Sequence, residues 1–300
     1  MTDVAVVIPN HNGHGLVGRC VAGAREGGAA EIVVVDDASS DDSPAEAEAA
    51  GARLLRSPRR GFAAAVNTGV AATTAPNLLI LNSDCFLDPD ALHRLAAVLE
   101  TLPSIALCGA HLRNADGTPA KSAGVLVSAG NALVTALGVR GTVVPQKEHG
   151  VERVPFVPLA CALVRRSAWE SVGGLDEGYR FYFEDYDLCW RLGRERHSIA
   201  VCWDAHALHV GGASSSAHDP QRWFTQYHES RARYLRKRGG IGFIGYAGLW
   251  PPVAAAHALR RLLRRGPDER RWAAAYAAAA TAGLGRQASN RRHAASRSSS

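Results

Sequence analysis

Three short apolar runs, VAVVIP (4–9), EIVVVDD (31–37) and NLLILNSD (77–84), constrain this chain most, because each ends in a cluster of polar residues. Runs of this length, rich in valine and isoleucine, read as strands buried on both faces. Between them lie segments with helical spacing: LVGRCVAGARE, SPAEAEAAGA with Ser43 as N-cap and Pro44 following, and the small-residue segment GFAAAVNTGVAAT. RLLR is a further short strand. DPDALHRLAAVLETL is a helix capped by Asp88, and SIALCGA is a fifth strand. Strands alternating with helices predict a parallel α/β sheet covered on both faces. In such sheets ligands bind at the carboxyl ends of the strands. NHNG, DDASSDD and NSD all fall there.

The alternation fades after about residue 110. VPFVPLACALVRR (154–166) reads as another strand, SAWESVG as a short helix and SIAVCWDA as a late strand. No GxGxxG follows the first strand and no P-loop is present, so a dinucleotide fold has little support. With 47% hydrophobic and 21% charged residues, the 300-residue chain can bury a sizeable core. The six cysteines are scattered without metal spacing, which predicts buried thiols of a reducing compartment. VAVVIPN so near the N-terminus reads as a strand and not as a secretory signal.

The net charge of +6 is unevenly placed, with acids between Glu31 and Asp90 and arginines crowding the chain from Arg222 onward. We expect three parts: a catalytic domain over 1–220, a basic and apolar helical extension over 221–284, and a low-complexity, disordered tail over 285–300. Residues 241–259 hold no Asp, Glu, Lys or Arg, and RRLLRR follows. Their glycines, Pro251–Pro252 and His257 favour an interfacial segment over a membrane span. The alternative is helices packed on the catalytic domain. The core lacks interleaved basic and aromatic residues, so no nucleic-acid partner is expected.

Asp36 and Asp37 have two readings, as caps of the following turn or as a carboxylate for the N3–H of uracil or thymine. Asp84 is an ordinary turn residue if isolated, and a ligand for a divalent ion bridging a diphosphate if it shares the edge with Asp37. His209 alone reads first as structural. In FYFEDYDLCW (181–190) a helix from about Asp185 pairs Asp187 with Arg191 at i,i+4. Helix electrostatics account for Asp187. They account less well for Glu184 and Asp185, which follow three aromatic residues.

The order VVIPNHNG, IVVVDDASSDD, RGFAAAVNTG, LNSDCFLDPDAL, ACALVRRSAWESVGGLDEGYRFYFEDYDLCWRL and HALHVGGASS resembles an inverting family-2 glycosyltransferase of GT-A fold, in its bacterial rhamnosyltransferase-like branch. The likeness covers roughly the first 215 residues. It implies a mostly parallel Rossmann-like α/β sheet with helices on both faces and a C-terminal helical extension. It also implies a nucleoside-diphosphate sugar donor, dTDP-rhamnose or a UDP-sugar, a divalent cofactor (Mg2+ or Mn2+), and a lipid-linked or glycan acceptor for cell-surface polysaccharide synthesis. Peripheral contact at the cytoplasmic face of the cell membrane follows as an expectation.

Carried over by position, Pro9 and His11 line the nucleobase pocket and Asp37 takes the base N3–H. Arg60, Gly61 and Asn67 join the donor site, Asp84 binds metal, and His209 assists at the metal or diphosphate. Asp185 is the general base with Glu184 beside it, and Gly173, Gly174 and Asp176 shape the acceptor-side loop. Four features depart from the pattern: the DXD-like motif is NSD, Arg60 stands where asparagine is common, Ala160 where glycine is common, and Leu175 where phenylalanine is usual. Other readings are a nucleotidyltransferase on a similar sheet, which needs a glycine-rich basic loop that NHNGHG lacks, and a catalytically silent nucleotide-binding or assembly protein.

Overall fold

The computed structural model describes residues 3–128, 144–179, 182–211, 220–264 and 266–282. The chain divides into two compact units, 1–127 with 140–218 and 128–139 with 219–300. The expected tail, 285–300, lies outside the described residues.

The first unit is built on a nine-stranded sheet. Its strands are β1 (Val4–Asn10), β2 (Glu31–Asp36), β3 (Arg53–Arg56), β4 (Asn77–Leu81), β5 (Cys85–Leu87), β6 (Ile105–Arg113), β7 (Val151–Arg153), β8 (Cys161–Arg165) and β9 (Ser198–His209). The order is β3-β2-β1-β4-β8-β6-β9-β5, with β7 also on β9. β3, β2, β1 and β4 are parallel, as the βα alternation predicts. β8 runs antiparallel between β4 and β6. A strand buried on both faces has no polar alternation to reveal its direction, so CALVR could not announce this.

Helices cover both faces. Val4, Val6 and Ile8 pack with α1 (Val17–Glu26) and α4 (Ala91–Thr101). Ala5 and Val7 pack with α3 (Phe62–Ala71), α5 (Arg166–Ser171) and α6 (Glu184–Arg194). This is the period-2 alternation of a central strand. α3 comes close to the sheet because Gly69 has no side chain: a Cβ there would sit 2.4 Å from Val7 and 3.0 Å from Val35. All six cysteines are buried and unpaired, as expected.

Two helix starts differ from expectation. α2 (Ser43–Ala49) begins at Ser43 with Asp42 at the cap position. The buried Ser43 hydroxyl is instead occupied by Asn10 Nδ2 at 2.9 Å and by Asp41. α4 is preceded by Asp90, and Asp88 pairs with Arg113 of β6 at 2.6 Å. In both cases a tertiary partner claimed the polar group that local pattern assigned to a cap.

The second unit contains α7 (Pro220–Arg238), α8 (Gly240–Leu263) and α9 (Pro267–Thr281). His228 stacks on Trp250 with centroids 3.9 Å apart, and its Nδ1 lies 2.6 Å from the Tyr246 hydroxyl. Among the described residues no helix is long and apolar enough to cross a membrane.

Candidate active site

β1, β2 and β4 end on the same edge, and the loops there are tied together by buried polar groups. Asn10 donates to Asp36 (3.3 Å) and Ser43 (2.9 Å). Gly13 must stay small, since a Cβ would lie 2.3 Å from Asn10 Oδ1. Pro9 is buried within β1 opposite Val35, and the half-buried His11 ring holds the Asp37 carbonyl through Nδ1 at 3.0 Å.

Asp37 is buried, and its carboxylate accepts Ser57 Oγ (3.0 Å), Arg60 N–H (2.8 Å) and Gly61 N–H (2.8 Å). These bonds fix the 57–61 loop against the end of β2. Gly61 sits at φ 93°, ψ 173°, a conformation open essentially to glycine alone.

Asn67 of α3 grips the main chain of Leu175 twice, donating to its carbonyl and accepting its N–H, both at 2.9 Å. Its Nδ2 also reaches Glu177 at 3.2 Å, and Glu177 pairs with the Arg60 guanidinium. Gly173 (φ 76°) and Gly174 (φ 69°) are consecutive left-handed residues. Gly174 has no room for a side chain between Asn67 and Trp169. Asp176 closes the turn by accepting the Gly178 N–H at 2.9 Å. The expected donor-side residues Arg60, Gly61 and Asn67 and the acceptor-side loop 173–177 are therefore one hydrogen-bonded assembly. Asn67→Ala leaves two main-chain groups of buried Leu175 without partners, which costs about 2 kcal/mol. A fall in Tm of about 4–8 °C is the expected result of a thermal melt.

α6 starts under strain. Tyr182 (φ 66°) and Phe183 (φ 69°) are both left-handed, which costs bulky side chains on the order of 1–3 kcal/mol each. Phe183 is buried beside Tyr186, Tyr186 stacks on Phe156 at 3.9 Å, and Lys121 Nζ donates to the Tyr186 hydroxyl at 2.7 Å. Within this wall lie Glu184 and Asp185.

Glu184 is buried and its Oε2 has no hydrogen-bond partner among the described residues. Burial, and then the neighbouring Asp185 charge, push its carboxyl up to about 8. Burial also raises Asp185, to about 6, while the Tyr186 N–H at 2.7 Å and the Lys121 charge hold it down. Burial thus disfavours the charged form of both acids, and Asp185 is the one whose carboxylate is held by a main-chain donor and a nearby cation. Asp187 pairs with Arg191 (2.7 Å) as the spacing predicts, but it is wholly buried. Arg191 also donates to the Val172 carbonyl at 2.6 Å, so this pair braces the chain entering Gly173.

β9 extends past the expected SIAVCWDA to His209, and its antiparallel pairing with β5 sets His209 opposite Cys85. His209 Nε2 consequently lies 3.3 Å from Asp84 Oδ1. Asn82 is alongside, its Nδ2 3.4 Å from the same ring nitrogen and its buried Oδ1 without a partner among the described residues. Among the described residues no three His, Cys, Asp or Glu side chains form a metal cluster. Two adjacent ligands at about 2.1 Å from an octahedral ion stand about 3.0 Å apart, close to the Asp84–His209 separation. The pair fits a divalent ion whose remaining ligands come from phosphate and water, as is usual for Mg2+. Sequence reasoning missed Asn10, Asn82, Lys121 and Glu177 as site residues. Lys121 lies in a stretch with no periodicity, the partners of Asn10 and Asn82 are set across the sheet edge, and Glu177 meets Arg60 and Asn67 from a loop distant in sequence.

A central sheet covered by helices on both faces, with polar groups gathered at its strand ends, is the GT-A type of α/β fold. In agreement, the fold is similar to a mannosyltransferase from Pyrobaculum calidifontis solved with GDP-Man and Mn2+, with TM-score 0.58, 17% identity, and 94% of this chain and 87% of that one covered. The glycosyl transferase family 2 profile matches residues 5–173, and the chain belongs to that family. It is 28% identical over 232 residues to an N-acetylglucosaminyl-diphospho-decaprenol L-rhamnosyltransferase of Mycobacterium tuberculosis, covering 69% of this chain and 75% of the relative. It is 22% identical over 214 residues to a low-salt glycan biosynthesis hexosyltransferase of Haloferax volcanii, covering 70% and 67%. The chain is thus a hexosyltransferase-type enzyme that uses nucleotide-sugar donors.

Proposed function

We propose that this enzyme moves a sugar, with inversion, from dTDP-rhamnose or a UDP-sugar to a hydroxyl of a lipid-linked or glycan acceptor in cell-surface polysaccharide synthesis. The acceptor is met at the cytoplasmic face of the cell membrane. The observation that carries this reading is the unequal pair at the start of α6. Asp185 is half-buried with its carboxylate on the Tyr186 N–H at 2.7 Å, whereas Glu184 is buried, and an inverting displacement needs one base. A retaining glycosidase would need two carboxyl groups in separate roles, and Glu184 is buried without access to a second role.

Asp84 and His209 would hold a divalent ion, Mg2+ or Mn2+, which when bound neutralises charge on the leaving diphosphate. Asp37, through the 57–61 loop, shapes the nucleoside end of the donor site together with His11 and Pro9. Asn67 and Arg60 fix the 173–177 loop, so that the acceptor-side wall is in place before substrate arrives. Asp185 Oδ takes the acceptor hydroxyl proton as that oxygen attacks the anomeric carbon.

Thermal melts with UDP, dTDP and GDP, each with and without Mn2+ or Mg2+, test this. A diphosphate at about 100 times its Kd stabilises by about 2.7 kcal/mol, which raises Tm by several degrees. The shift is expected only with metal present. No response to any nucleoside diphosphate would overturn the reading, and a preference for triphosphates would point to nucleotidyl transfer.

A further inference from the structure

Among the described residues, seven large hydrophobic side chains are exposed, and five of them, Ile244, Leu249, Leu259, Leu262 and Leu263, belong to α8. At 100° per residue these five fall within an arc of about 140°. Tyr246, Trp250, Ala254 and Ala258 form the buried stripe on the other side of the helix, where Trp250 Nε1 donates to the Ala279 carbonyl at 2.8 Å. Small exposed residues, Gly248, Ala255 and Ala256, fill the gaps in the apolar arc. An apolar strip of this length on one helix marks an interaction surface.

Charge indicates what covers it. α8 contains no acidic residue. Arg236, Lys237 and Arg238 precede it, and Arg260, Arg261 and Arg264 close it. Arg261 is committed to Glu269 at 2.9 Å, whereas Arg260 and Arg264 are exposed beside the leucines. A second copy of the same face would bring no carboxylate to these arginines. An anionic lipid surface supplies both an apolar layer for the leucines and phosphate groups at the depth of the arginines. Pro251 and Pro252 lie inside the helix, and among the described residues no helix is long and apolar enough to cross a membrane, so α8 fits a helix lying in the interface.

We propose that the exposed face of α8 is a peripheral docking surface for anionic phospholipid, with Ile244, Leu249, Leu259, Leu262 and Leu263 entering the acyl boundary and Arg260 and Arg264 meeting headgroup phosphate. The inference goes beyond the glycosyl-transfer reading and does not depend on it, because vesicles free of any glycan test it.

The experiment is co-sedimentation of the full chain with vesicles of 3:1 phosphatidylcholine and phosphatidylglycerol, and with phosphatidylcholine alone. The wild type is expected to pellet with the mixed vesicles and to be released by salt. Leu259→Asp/Leu263→Asp is expected to lower partitioning at least tenfold, with unchanged circular dichroism and melting midpoint. Arg260→Gln/Arg264→Gln leaves the apolar strip intact. At about fivefold per surface charge it should lose roughly 25-fold of the preference for anionic vesicles. The arginine variant decides the matter if the aspartate variant does not fold. Wild-type protein left in the supernatant, or arginine-variant binding equal to wild type, overturns the proposal. So does a lipid-free dimer that Leu259→Asp/Leu263→Asp dissociates, since a second copy would then be the occupant.

Discussion

Asp185→Asn lowers the rate of sugar transfer by about 10³-fold while donor nucleotide binds within about twofold of wild type. Asparagine has the same shape, and its amide oxygen still accepts the Tyr186 N–H, so the strained start of α6 keeps its geometry. What is lost is the group proposed to take the acceptor proton, and general-base catalysis contributes typically 10²–10⁴-fold. Single-turnover transfer and nucleotide titration separate the two effects. Transfer at the wild-type rate would sink the assignment.

The pH dependence has a definite sign. Burial raises the Asp185 carboxyl to about 6, and the base works only when ionised. The wild-type kcat/KM therefore falls tenfold per pH unit below about 6 and levels above it. Lys121→Met removes a positive charge that holds Asp185 down, and so moves this limb to higher pH. Stability runs the other way. A carboxyl raised in the folded state contributes stability when protonated, and that contribution is lost as pH rises from the ordinary carboxylate range through about 6. Asp185→Asn removes this loss, so its Tm at pH 8 equals or exceeds that of wild type.

Asp84→Ala is expected to lower transfer by about 10²-fold or more and to abolish the metal-dependent part of the nucleotide-induced rise in Tm. On the proposed reading the carboxylate is the charged member of a two-ligand set, and losing it would leave His209 and the Asn82 amide to hold a doubly charged ion. His209→Ala, which removes a neutral ligand, should cost less, about tenfold. The metal-free Tm of Asp84→Ala should stay within a few degrees of wild type. The bond that fixes the backbone there, Val210 N–H to the Asp84 carbonyl at 3.0 Å, does not involve the side chain. Melts with UDP and Mn2+ check this, and an undiminished metal response in Asp84→Ala would remove the residue from the metal site.

The βα alternation of the first 110 residues was legible because buried strands and amphipathic helices have different hydrophobic periods, and those periods survive in one dimension. The buried Asp187–Arg191 pair was legible for the same reason, since both partners lie on one helix. The caps at Ser43 and Asp88 were misread because Asn10 and Arg113, distant in sequence, compete for the same oxygen atoms. Asp37 could be placed at a strand end, but its three donors from the 57–61 loop could not be foreseen.

Sequence by itself determined the α/β class, the strand-end acids, and the candidate base within FYFEDYDLCW. It did so through local period and through a motif order that resembles one family. The tertiary structure alone decided that β8 runs antiparallel, that β9 continues to His209, and that the β5–β9 pairing brings His209 to Asp84. It also placed Glu184 and Asp185, adjacent in the chain, in different surroundings: Glu184 is buried, with its Oε2 lacking a partner among the described residues, and Asp185 is held by the Tyr186 N–H near Lys121. Lys121 and Tyr186 are 65 residues apart and Asn82 and His209 are 127 apart, and no local pattern encodes which of them will meet.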